Sequence, residues 1–164
     1  GDLVPAPPWE LDLGVDLMAG VSHREWRTMG PVPFTDHPDL PRYEGRYPGH
    51  AAVELMSDFV FRRPTIRTVE RNGGWLYDFA WRDGGHGSEV PFVFGNGDNR
   101  FAARHLGSPP APEFAPLSAA MRASWTAFAG TGDPGWPRYD TESAGPVRRW
   151  DVEPADVVNP FVSW

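Results

Sequence analysis

The chain is most constrained where a strand-like run, Trp75-Leu76-Tyr77-Asp78-Phe79-Ala80-Trp81, passes through Arg82-Asp83 into Gly84-Gly85-His86-Gly87. Glycine has no Cβ, so the backbone there can turn through positive φ and other bodies can approach it closely. A histidine held between such glycines can project its imidazole from a strand end into open space. Histidine titrates near neutral pH, which makes His86 a candidate proton carrier. A histidine in a glycine-rich loop is ordinarily a solvated loop residue, and nothing local decides between the two. The apolar run Val90-Pro91-Phe92-Val93-Phe94 then returns the chain to a core.

Upstream, Val15 to Val21 is a short apolar run bounded by Gly14 and Ser22, and its length predicts a buried strand. Glu25 follows on the loop leaving it, where open α/β sheets place functional groups. An exposed, salt-bridged loop would read the same way. Thr28 to Gly49 carries five prolines and reads as loop with at most one helical turn. His50 to Arg71 has apolar residues at helical spacing, and Pro64 should kink or split that helix. Asp58 inside it needs an arginine or backbone donors if buried, and a structural role is expected for it. His50 and Glu54 share a helix face, but two ligands do not make a metal site.

Further on, Asn72-Gly73-Gly74 stops the helix, Phe101 to Leu106 reads as a short helix, and Leu117 to Ala129 is the best helical pattern. Leu117, Met121, Trp125 and Phe128 share its apolar face. The tail is expected to wrap over the domain with one strand near Val147 to Trp150. The fold class is α/β, with the first two strands adjacent in a mainly parallel sheet. So few strands leave the sheet's faces incompletely covered, and the fold reads as incomplete.

Composition excludes several classes. With 164 residues the chain is long enough for one domain with a sizeable core. The net charge of -7 argues against nucleic-acid and anionic-membrane partners, and no apolar run approaches membrane-spanning length. There is no Cys, so disulfides and thiolate metal sites are out. All fifteen basic residues are Arg, which reads as compositional bias. Zinc-protease, Walker-type and dinucleotide-binding motifs are missing, and Gly20-Val21-Ser22-His23-Arg24 has Arg where a nucleophile elbow needs its second glycine. No cofactor and no metal are expected.

Five pieces, in order, resemble the C-terminal part of the type B carboxylesterases, the α/β-hydrolase group that includes para-nitrobenzyl esterases and cholinesterases. Val4-Pro5-Ala6-Pro7-Pro8-Trp9 resembles the segment before the acid strand, and Asp16 through Glu25 the strand and loop carrying the triad acid. Asp58-Phe59-Val60-Phe61-Arg62-Arg63-Pro64 is similar to the helix between acid and histidine. Gly85-His86-Gly87-Ser88-Glu89-Val90-Pro91-Phe92-Val93-Phe94-Gly95, the most specific piece, resembles the triad-histidine loop. Trp125 through Asp140 resembles the closing helix and tail.

The resemblance implies an incomplete α/β-hydrolase fold, with residues 1–164 as the C-terminal part of a single domain whose upstream part of the same protein is its partner. It implies a serine esterase acting on a small-molecule carboxylic ester. His86 would be the base, Glu25 the acid, and the serine would lie outside this chain, because α/β-hydrolase triads run Ser, acid, His. Glu89 stands as a supporting group behind that pair or as a surface carboxylate. Such a piece should be inactive and poorly folded by itself. Departures exist: Thr28 to Gly49 is too short for the family's helical insertion, and the Trp81–His86 loop is also short. The alternative is a non-catalytic cholinesterase-like interaction module, which keeps the fold and loses triad members.

Overall fold

The computed structural model describes residues 6–33 and 36–161. Val4 and Pro5 of the proline-rich start, Phe34 and Thr35 of the long loop, and the last three residues of the tail lie outside the described residues. Four strands form one sheet in the order β1 (Met18–Ser22), β2 (Trp75–Phe79), β3 (Val147–Trp150) and β4 (Ala155–Val157). β1 and β2 run parallel with Gly20 opposite Tyr77, β2 and β3 run parallel, and β4 returns antiparallel. The expected adjacency of the first two strands is therefore found.

The sheet is better covered than the sequence suggested. β2 is buried along nearly its whole length, the pattern of a strand packed on both faces. Trp75 and Phe79 point to one side, where Phe92, Leu117 and Met121 build an aromatic-rich core with Trp136 and Trp150. Leu76 points to the other, against Val21, Ile66, Val69 and Val147. Tyr77 lies across β1, and this requires Gly20, since a Cβ there would stand 2.3 Å from the phenol ring.

The helices are α1 (Leu40–Arg46), α2 (Ala51–Ser57), α3 (Arg63–Asn72), α4 (Val90–Phe94), α5 (Arg100–Leu106) and α6 (Phe114–Thr131). α6 extends the predicted helix at both ends and packs Leu117 and Met121 fully inward, with Trp125 and Phe128 alongside. α1 gives the stretch before Gly49 more helix than one turn. The Val90–Phe94 run is a single helical turn or so, with Phe92 in the core and Phe94 in solvent.

Pro64 neither breaks nor splits its helix. Instead the five residues before α3, Asp58–Arg62, form a π-helical turn in which the Arg63 N–H donates to the Asp58 carbonyl. Widening the turn by one residue accommodates a ring that cannot donate and would clash with the carbonyl four residues back.

Candidate active site

Both predicted site segments leave the carboxyl ends of neighbouring parallel strands. β1 ends at Ser22, and Glu25–Thr28 forms a short 3-10 turn. β2 ends at Phe79, and Trp81–Asp83 turns the chain towards His86. The two loops are zipped by backbone bonds: the His23 N–H donates to the Phe79 carbonyl at 2.8 Å, and the Arg24 N–H to the Gly84 carbonyl at 2.7 Å. Arg82, Asp83 and Gly84 all have positive φ, a conformation that costs non-glycine residues about a kcal/mol or more each.

Gly84 is the tightest point. A Cβ would lie 2.1 Å from the Phe79 carbonyl oxygen and 2.9 Å from the His23 nitrogen, both backbone atoms. Gly84→Ala is expected to destabilise by about 2 kcal/mol and to displace the histidine loop, because overpacked backbone must shift. Urea unfolding of the full chain measures it, and an unchanged midpoint would contradict the packing described.

Glu25 and His86, 61 positions apart, meet at 2.8 Å between Oε2 and Nδ1. The second carboxylate oxygen accepts the Ser22 N–H at 2.7 Å. Glu25 is buried while the His86 side chain is about half exposed (52%). The His86 N–H donates to Thr28 Oγ1 at 3.2 Å, and its ring packs 5.3 Å from that of Phe61. Among the described residues Nε2 has no partner, so the imidazole is fixed at one nitrogen and open at the other.

Burial pushes the Glu25 carboxyl up from its ordinary range, and the neighbouring charge of Glu89 adds to this; the bonds from Ser22 and His86 pull it down without winning. Glu89, half-buried, accepts the Ser22 hydroxyl at 2.8 Å and so stands behind the residue that holds Glu25. Ser22 itself is buried and its hydroxyl is committed to Glu89.

A second layer was not foreseen. Asp78 is fully buried on β2 and meets His23 Nδ1 at 2.9 Å. Arg62, also fully buried, bonds Asp58 at 2.6 Å and Glu54 at 2.8 Å, and caps the His23 carbonyl. Tyr43 donates to Asp58, and Arg24 reaches Glu54 at 3.3 Å. Asp58 thus has the arginine that its burial demands. The spacing Glu54, Asp58, Arg62 was the available signal, two steps of four along one helical face. Among the described residues no group of acidic or histidine side chains could hold a metal ion.

The para-nitrobenzyl esterase of Bacillus subtilis is 30% identical to this chain over an alignment of 109 residues, taking in 56% of the chain and 22% of the esterase. The chain is similar to the C-terminal part of a para-nitrobenzyl esterase. A thermophilic para-nitrobenzyl esterase structure superposes with TM-score 0.66 at 24% identity, over 86% of this chain and 35% of its own. A carboxylesterase from Geobacillus stearothermophilus superposes with TM-score 0.67 at 22% identity, over 86% of this chain and 37% of its own. No protein-family model matches. The chain thus spans about a fifth of the curated relative and about a third of the solved structures. Its fold is an incomplete α/β-hydrolase fold, and the homologues of this esterase-like chain are carboxylesterases.

Proposed function

We propose that the protein hydrolyses small carboxylic esters by acyl transfer, with His86 and Glu25 as base and acid of a Ser-His-Glu triad. The serine and the oxyanion-stabilising amides belong to the part of the same α/β-hydrolase domain that precedes residue 1. The observation that carries this reading is the 2.8 Å contact from a buried Glu25 to the Nδ1 of a histidine open at Nε2. Carboxylesterase homologues support it.

The geometry suits that chemistry. Glu25 accepts a hydrogen bond from Nδ1–H, which keeps that proton on Nδ1 and leaves the Nε2 lone pair facing outward as the base. Nε2 takes the serine proton as the hydroxyl attacks the ester carbonyl, and the imidazolium that results is stabilised by Glu25 at 2.8 Å. The same proton then goes to the departing alcohol. Water repeats the sequence on the acyl-enzyme. Ser22 and Glu89 act by holding the Glu25 carboxylate in line.

The test is turnover of a p-nitrophenyl ester by the full chain, meaning residues 1–164 joined to the proposed upstream part of the same domain, against His86→Ala, with residues 1–164 alone as a third sample. The full chain should hydrolyse, and residues 1–164 should not exceed the His86→Ala background, since covalent acyl transfer then has no nucleophile. Turnover by residues 1–164 well above that background would place the nucleophile inside this chain and overturn the assignment.

A further inference from the structure

A cavity of about 620 Å³ opens beside the Glu25–His86 pair, lined by groups from several elements. Neither member of the pair lines it, but Thr28 and Gly85, which flank them, do. On a chain of net charge -7, its lining residues include four arginines, Arg27, Arg82, Arg104 and Arg149, against two aspartates, Asp83 and Asp151. Asp83 is already paired, with Arg27 at 2.8 Å and Arg24 at 3.6 Å. Arg82 lies over the Trp81 ring at 4.5 Å. Among the described residues, no carboxylate pairs with Arg104 or Arg149.

A second observation is independent of charge. Ser88 lines the same cavity, is 4% exposed, and its hydroxyl has no hydrogen-bond partner among the described residues. Buried hydroxyls are rarely left so, because the unmade bond costs more than a made one gains. A ligand oxygen would complete it.

We infer that this cavity binds a small organic dianion, a phosphomonoester or a dicarboxylate. Guanidiniums suit either group, since their forked N–H donors match planar or tetrahedral oxyanions in pairs. The four guanidiniums and two carboxylates leave two positive charges, the match for a dianion. The binding groups come from the turn after β2, from α5 and from β3, so the site depends on the folded chain.

Calorimetric titration of the full chain with glycerol 3-phosphate and with malonate tests this, at ionic strength held constant with sodium chloride. At least one probe should bind; which one distinguishes phosphate from dicarboxylate recognition. Arg104→Gln and Arg149→Gln should each weaken binding by about 10-fold, the usual loss for a charge-assisted bond, and leave ester turnover unchanged. Arg104 is exposed, so its variant keeps the fold even if that of Arg149 does not. Binding of neither probe below roughly 10 mM, or equal binding by Arg104→Gln and the parent, would overturn the inference. The readout is heat of binding, so a protein that binds a probe but cleaves no ester refutes the esterase reading and leaves this one standing.

Discussion

Glu25→Gln is expected to lower ester turnover by the full chain by roughly 10⁴-fold while the protein stays folded. The Ser22 N–H at 2.7 Å needs an acceptor, which fixes the amide oxygen towards Ser22 and turns the NH₂ towards His86. His86 Nδ1 must then accept, so the proton moves to Nε2 and the base is lost. Circular dichroism should match the parent, and kcat should fall with little change in KM. A loss under tenfold would show that the pair is structural.

The same variant should be more stable than the parent at neutral pH. The folded pKa of Glu25 lies above its reference of 4.5, chiefly through burial. Its protonated form is therefore the one the fold prefers. The associated stability is complete below pH 4.5 and is lost as pH rises through the folded value. The amide that replaces the carboxyl does not titrate, so the variant's advantage should grow across that window and then level off. Urea midpoints for both proteins at pH 4.5 and at about pH 7.5 read it out; an advantage that shrinks with pH would contradict the burial of this charge.

Arg62→Met is expected to destabilise by about 3–5 kcal/mol. Glu54 and Asp58 are almost wholly buried and would lose the guanidinium that lies 2.8 and 2.6 Å away. Tyr43 and Arg24 would remain as their partners, which is too little for two desolvated carboxylates. The His23 carbonyl would also lose its donor, so the loop bearing Glu25 should loosen. Adding Glu54→Gln and Asp58→Asn should recover much of the loss, because the liability is the stranded charge rather than the missing side chain. Chemical denaturation of the three proteins decides it, and a loss below about 1 kcal/mol for Arg62→Met would mean that water reaches the cluster.

The parts legible in the sequence were those written in local pattern. β1 and β2 are short apolar runs bounded by turn residues, and α6 repeats its apolar residues at helical spacing. β3 could be read at Val147–Trp150 despite an unpromising pattern, while β4 was not foreseen. Val147–Trp150 has two arginines at its centre, and β4 is only Ala155-Asp156-Val157, too short to show an alternation. Pairing with β3 and the 2.9 Å bond from Arg148 to Asp156 hold β4 in place, and both are properties of the assembled sheet. Glu25 and His86 could be placed at strand ends from sequence, but their contact arises only because β1 and β2 lie side by side. His23 and Asp78 carried no local sign of each other, being 55 positions apart.

The π-turn at Asp58–Arg62 acts as an angular offset. One additional residue in a helix turns everything beyond it by about 100°. α2 can therefore present Leu55 to Tyr43 and α1, while α3, which follows the turn without a loop, presents Ile66 and Val69 to the sheet. Two facings that a uniform helix would need a loop to reconcile are joined without one. Deleting Phe59, which is exposed within that turn, would remove a solvent-facing side chain and yet misdirect every buried residue on one side of it.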